Sequence, residues 1–528
     1  MAYHTPVYLL LFLPAVLLAY QITPQKKRWL LLLGASWIFF WSVSGKLLIF
    51  LIGTILFTHY IGLGLETLKS RCRLEAGKPE NDRKQIQALF KKRQRLVLAA
   101  GIFGLLAVLG YLKYYNFFAQ NVNLLLEKAG RPALLTAKNL VLPLGISFYT
   151  LRAVGYMADV YWERTSAFVH PGKLALCLSF FPQLMEGPIS SYSQTAGDLW
   201  KGSPIRSENL AAGAWRILWG LFKKVLIADR LNVLVKAVFD QYESYGGVVV
   251  AAAAVAYTVQ LYMEFSGAMD MIIGSGRMFG VSLPENFRQP FAAGSAAEFW
   301  RRWHITLGTW LKTYVFYPVS TSRIVKKWNR FGKNHAGKYV TKLGVTAICL
   351  FPVWLLNGLW HGPRWSYIFY GMYYFTILLC GEALAPVRER ILKKWNISEQ
   401  TVWWAVPRRL KTWVIIVVGE LFFRANGLKA GLHMFVSIFT DFRPEKLWDS
   451  TLLNLGLDSG DYLVILLGCA VVGIVGVVKE HNLWKEENTK RFCAPIRWAA
   501  CYGLLLAVII FGAYGIGYQQ VDLIYAGF

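Results

Sequence analysis

The sequence predicts an all-α integral membrane protein with many spans, on three observations. Only 16% of its 528 residues are charged, whereas 55% are hydrophobic; soluble domains carry roughly 25% charged residues. Several apolar windows approach the ~20 residues that a bilayer-crossing helix needs, among them Leu96–Leu112, Tyr462–Val478 and Ala499–Tyr514. These windows are continuous rather than alternating, which selects helices over a membrane β-barrel.

Taken in order, the first apolar segment, Pro6–Tyr20, has no basic region before it and no small-residue cleavage site, so it reads as a retained span. The net charge of +27 does not indicate a nucleic-acid partner, because it is concentrated between apolar spans, where it sets topology. The clusters are Lys26–Arg28, Lys69–Arg95 (ten basic, three acidic), Arg323–Lys342 (seven basic, none acidic), Arg388–Lys411 and Lys479–Arg497. All are assigned to the cytoplasmic face, and the same clusters attract anionic lipid headgroups. The mainly acidic loop Asp441–Asp461 is placed outside, together with the N-terminus. The seven cysteines, Cys72, Cys177, Cys349, Cys380, Cys469, Cys493 and Cys501, show no metal-binding spacing, so neither a disulfide framework nor a zinc site is expected. No linker or repeat interrupts the chain, which reads as one polytopic domain over 1–528. Its middle, 139–320, is apolar but punctuated by Pro143, Gly145, Pro182, Gly187, Pro188, Gly267, Pro284 and Pro290. Broken helices at membrane depth need protein or a water-filled cavity around them, so the central cavity is expected there.

Polar groups within this middle are the candidate site. Tyr262–Met271 embeds Glu264 and Asp270, Glu298–His304 sets Arg301, Arg302 and His304 among Trp300 and Trp303, and Phe180–Ile189 holds Glu186. Buried charges are normally paired, so Arg301 or Arg302 with Glu264, Asp270 or Glu298 is the expected network. His361 stands apart, in Leu356–Pro363 at the end of an apolar run. An imidazole at membrane depth is costly, and it titrates near neutral pH without perturbation. By position alone it is either a catalytic base or an interfacial helix cap.

Seven pieces, in one order, resemble the membrane-bound O-acyltransferase (MBOAT) superfamily, in a branch similar to the bacterial alginate O-acetyltransferase membrane subunit. They are Leu144–Tyr149 with Asp159; Phe180–Gln183 with Gly187–Ile189; Gly220–Val225 with Ala228 and Asp229; Phe265–Gly267 with Asp270 and Met271; Asn286 and Phe287; Glu298–His304; and Leu359–Gly362. The likeness covers about 141–374 and weakly reaches Phe423–Ala425. The chain departs from the pattern at Glu264 (usually Asp), Glu186 (usually small), Lys312-Thr313 (often Arg-Asp) and Tyr373-Tyr374 (often His-Gly).

The resemblance implies an MBOAT-type helical bundle with broken or re-entrant helices around a central cavity. It implies transfer of an acetyl or short acyl group to a hydroxyl, with His361 essential and His304 as second catalytic candidate. No tightly bound cofactor is expected; acetyl-CoA is the expected cytoplasmic donor. An alcohol attacks a thioester poorly without a base, and a neutral imidazole suits that role. Asn357, one turn before His361, is placed to orient the ring or to donate to an oxyanion, or equally to pack against a neighbouring helix. Trp360, Trp303, Glu264, Asp270, Arg301 and Arg302 are candidates for substrate contact, and Lys223 and Lys224 either attract donor phosphates or only set topology. A 17-residue helix, Leu343–Leu359, covers about 25 Å, so His304 and His361 are expected toward opposite membrane faces, the first at the donor entrance. The implied acceptor is a cell-envelope polysaccharide, reached directly or through an extracytoplasmic accessory acetyltransferase, from a bacterial inner membrane. D-alanyl transfer from a carrier protein is the alternative, and a transporter the alternative of another class.

Overall fold

The computed structural model describes residues 1–78, 82–167, 170–398, 401–481 and 494–514, and every regular element among them is helical. Cys493 and most of the basic segment 479–497 lie outside the described residues. Among the described residues, five helical runs are long and apolar enough to cross a membrane: Gln25–Ala76, Arg83–Lys128, Gly247–Met278, Gly337–His361 and Ser459–Glu480. Trp365–Ala383 and Ala385–Lys394 form a bent pair at 45°, a sixth crossing if counted together. The segment expected as the first span is helical over Val7–Ile22, shorter than any of those five runs. Its Tyr8 is fully buried, and the phenol donates to Ser275 Oγ at 3.0 Å.

The described chain divides into two compact units, Met1–Ala214 with Ile272–Pro284, and Trp215–Met271 with Glu285 onward. In the first, α1 (Leu48–Ala76), α2 (Arg83–Lys128) and α3 (Ile146–Tyr161) pack against one another. The 46 residues of α2 extend roughly 70 Å at 1.5 Å per residue, more than twice the hydrocarbon thickness. Most of the basic cluster Lys69–Arg95 therefore rides on helix ends rather than in a loop. Two lysines of these helices are inside: Lys69 is buried and donates to Val160 O, and buried Lys113 donates to Ser147 Oγ at 3.3 Å.

The second unit holds the candidate site. Helix α4 (Ser207–Leu221) runs into a π-helical turn, Phe222–Ala228, in which every residue is buried. Helix α5 (Gly247–Met278) passes straight through Gly267, where the sequence suggested a break. Glycine is needed there for approach instead: a Cβ on Gly267 would lie 2.8 Å from Gly220 O, so the two backbones meet. The breaks fall later, in the short helices α6 (Ala296–Arg302) and α7 (Ile305–Leu311), before the basic helix α8 (Arg323–His335). Residues 312–320 pack against α9 (Gly337–His361). Helix α9 packs on α10 (Trp365–Ala383), which packs on α11 (Val402–Arg424); α12 (Ser459–Glu480) packs on the π-helical turn.

Candidate active site

His361 is the last residue of α9. Gly358 of α9 and Gly371 of α10 let those backbones touch, since a Cβ on either would collide with the facing carbonyl, of Tyr367 or Trp354. That approach carries the imidazole among aromatic rings. Phe423 of α11 meets it edge-on at 4.9 Å and 88°, Tyr370 at 5.9 Å and 86°, and Trp360 at 5.0 Å. His361 is only 6% exposed, so it is enclosed rather than capping the helix in water. Asn357 lies one turn earlier on the same helix face. It too is buried, and its Oδ1 has no hydrogen-bond partner among the described residues.

His304 occupies the joint between α6 and α7 in a left-handed conformation, φ 45°, uncommon for a non-glycine residue. Its Nδ1 lies 3.2 Å from Asn286 Oδ1. That oxygen already accepts from the Thr306 amide at 3.0 Å and the Thr306 hydroxyl at 2.9 Å. An oxygen so engaged makes Nδ1 the donor, which leaves the lone pair on Nε2. Phe265 packs edge-on against the ring at 4.9 Å.

His304 lies outside the candidate spans, and burial pushes its pKa down to about 3. The unfolded chain therefore binds a proton below about 6.5 that the folded chain refuses. The stability this contributes is complete above pH 6.5 and lost as pH falls toward 3. Melting of the purified protein in detergent is expected at lower temperature at pH 5 than at pH 7.5, with a smaller difference in His304→Gln. An equal difference in both proteins excludes His304 as the source.

The two histidines are not a membrane crossing apart. Trp360 touches both rings, His304 at 5.6 Å and His361 at 5.0 Å. The expectation of opposite faces assumed that residues 305–342 stay on one side. Residues 312–320 instead pack against α9, and the Trp360 contact puts His304 at the His361 end of that helix.

The charged candidates lie elsewhere than expected. Glu264 pairs with Lys224 at 3.1 Å. Asp270 pairs with Lys223 at 2.5 Å and Arg216 at 3.0 Å. Of the expected pairs, the one seen among the described residues is Glu298 with Arg302 at 2.7 Å, and Arg302 also holds Glu480 at 2.6 Å. Arg301 is exposed. Trp303 is buried against Phe287 at 5.0 Å and Phe299 at 5.3 Å. Lys223 and Lys224 are buried in their ion pairs, which removes them as phosphate-attracting surface groups. Sequence reading missed Asn286 as the partner of His304 and Tyr370 beside His361; the Tyr370 hydroxyl in turn donates to Glu420 Oε1 at 3.2 Å.

A cavity of about 80 Å³ lies in this unit, lined by Arg216, Lys223, Tyr262, Asp270, Asn286 and Lys479, among others. Asn286 is thus shared between the cavity wall and the His304 hydrogen bonds.

Residues 173–332 match the family model described as "MBOAT, membrane-bound O-acyltransferase family". The chain is 33% identical over 481 residues to "Probable alginate O-acetylase AlgI" of Pseudomonas aeruginosa, covering 90% of this chain and 82% of that protein. It is 30% identical over 469 residues to "Peptidoglycan O-acetyltransferase" of Helicobacter pylori, covering 82% and 78%. It is 26% identical over 285 residues to "Teichoic acid D-alanyltransferase" of Bacillus subtilis, covering 53% and 66%.

Proposed function

This chain belongs to the membrane-bound O-acyltransferase family and is an O-acyltransferase, and we propose that it moves an acetyl group from acetyl-CoA to a hydroxyl of a cell-envelope polysaccharide, with His361 as general base. The observation that carries the reading is the enclosed His361, held edge-on by Phe423 and Tyr370 with Asn357 one turn away. The imidazole lone pair takes the proton of the acceptor hydroxyl as its oxygen attacks the thioester carbonyl. The tetrahedral centre collapses with loss of the thiolate, and the imidazolium returns the proton to sulfur. The Asn357 amide is the donor proposed for the oxyanion.

His304 is the second catalytic candidate, on the thioester side. Its partner Asn286 lines a cavity with cationic Arg216 and Lys479. At about 80 Å³ that cavity is well below the roughly 300–1,000 Å³ of drug-sized ligand sites. It suits a thin thioester arm whose bulky carrier stays outside. The acetyl and polysaccharide assignments are supported by the names of the relatives matched over most of the chain; the D-alanyl relative matches half of it at lower identity. In this reading the protein sits in the bacterial inner membrane with its N-terminus outside, and the acetyl group reaches the polysaccharide either directly or through an extracytoplasmic accessory acetyltransferase.

Purified protein incubated with acetyl-CoA is expected to release CoA slowly, by hydrolysis, and faster when an O-acetylatable polysaccharide is added. Consumption of a D-alanyl carrier thioester but not of acetyl-CoA replaces the donor. Solute flux in proteoliposomes without any CoA release replaces the enzyme by a transporter.

A further inference from the structure

Glu420 is a buried carboxyl, 1% exposed, on the face of α11 turned toward α10. Its Oε1 accepts from the Tyr370 hydroxyl at 3.2 Å, and its Oε2 has no hydrogen-bond partner among the described residues. No described cation pairs with it; Arg424, one turn later, reaches Asp240 at 3.7 Å instead. A carboxyl withdrawn from water without a counter-charge is costly, and a leucine would fill such a position more cheaply.

The geometry around it gives the carboxyl a task. Phe423 follows Glu420 by three residues, on the same helix face, and touches His361 at 4.9 Å. The Tyr370 ring lies 5.0 Å from Phe423 and 5.9 Å from His361. Two rings at 88° and 86° to the imidazole form its wall. Phe423 has no polar atom with which to be fixed. Tyr370 has one, and Glu420 holds it.

We propose that Glu420 is a positioning residue for His361: by anchoring the Tyr370 hydroxyl it fixes the aromatic wall that aims the imidazole. The inference rests on the reading of His361 as base. A base does its work only while its lone pair points at the hydroxyl, and a misplacement of 1 Å can cost about 10²-fold. Glu420 acts through the hydrogen bond it accepts, so a glutamine carbonyl can replace it.

Four variants of the full chain in detergent, assayed for acetyl-CoA-dependent transfer across a pH series, test this. Glu420→Leu and Tyr370→Phe are each expected to lower kcat about 10-fold while KM for acetyl-CoA is unchanged, a loss smaller than that of a 1 Å misplacement. Glu420→Gln is expected to stay within about 3-fold of wild type, with the same pH profile, because its carbonyl keeps the bond. The double variant Glu420→Leu/Tyr370→Phe is expected to be no worse than either single, as two ends of one hydrogen bond must be. Multiplicative losses in the double, wild-type kcat in Tyr370→Phe, or a Glu420→Gln loss equal to that of Glu420→Leu each overturn it. If Glu420→Leu fails to fold, Tyr370→Phe and Glu420→Gln decide alone. His361→Ala separates the two readings: activity retained there removes the base itself. Activity lost there with Tyr370→Phe unaffected removes only the positioning role.

Discussion

His361→Ala is expected to lower acetyl transfer at least 100-fold without changing the yield or melting temperature of the protein by much. General-base assistance typically contributes roughly 10²–10⁴-fold, and the substitution removes the whole of it. His304 does not substitute. Its Nδ1 proton is committed to Asn286 and its ring is fixed by Phe265, so its lone pair is not free to take the place of that of His361. His304→Ala is expected to lower the rate less than His361→Ala does. The measurement is acetyl-CoA-dependent acetylation by purified protein, with CoA release followed in parallel. If both alanine variants transfer acetyl at the wild-type rate, neither imidazole is the base and the mechanism fails. If His361→Ala raises KM alone and leaves kcat intact, the ring binds substrate and does not move the proton.

The helical membrane class was legible because length, composition and continuous apolar runs each point to it independently. His361 was singled out by the ordered motifs of the resemblance and not by its position, which left a catalytic base and an interfacial helix cap both open. Legibility ended where partners come from afar. Glu420 is one acid in the apolar stretch 413–423, and only the fold brings it to Tyr370, fifty residues earlier. Asn286 sits in an irregular segment whose side chains follow no helical period, so its three hydrogen bonds to residues 304 and 306 leave no pattern. Gly267 was misread because glycine marks breaks and close approaches alike, and sequence does not separate them. Lys223 and Lys224 were misread for a related reason. Adjacent lysines ordinarily imply a solvated surface, but every residue of the turn that carries them is buried.

That buried turn makes the largest structural prediction. Lys224 is fully buried, with Asp229 at 2.6 Å and Glu264 at 3.1 Å. Lys224→Met leaves two carboxylates facing each other without their cation. Removing one partner of a buried ion pair costs about 3–5 kcal/mol, a large part of the 5–15 kcal/mol that holds a typical domain together. The variant is expected to give little monodisperse protein and a sharply lower melting temperature in detergent. Arg302→Ala cuts two ion pairs as well, to Glu298 and Glu480, yet those side chains are 22–29% exposed. Water takes over part of their solvation, and exposed pairs are worth about 0–1 kcal/mol, so this variant is expected to melt nearer to wild type. The triple variant Lys224→Met/Glu264→Leu/Asp229→Asn is the decisive control. If uncompensated charge is the damage, removing all three charges recovers most of the lost stability, since apolar replacement of a whole buried pair is often neutral. If the triple variant is as unstable as Lys224→Met, the lysine matters for its packing and the electrostatic account of this turn is wrong.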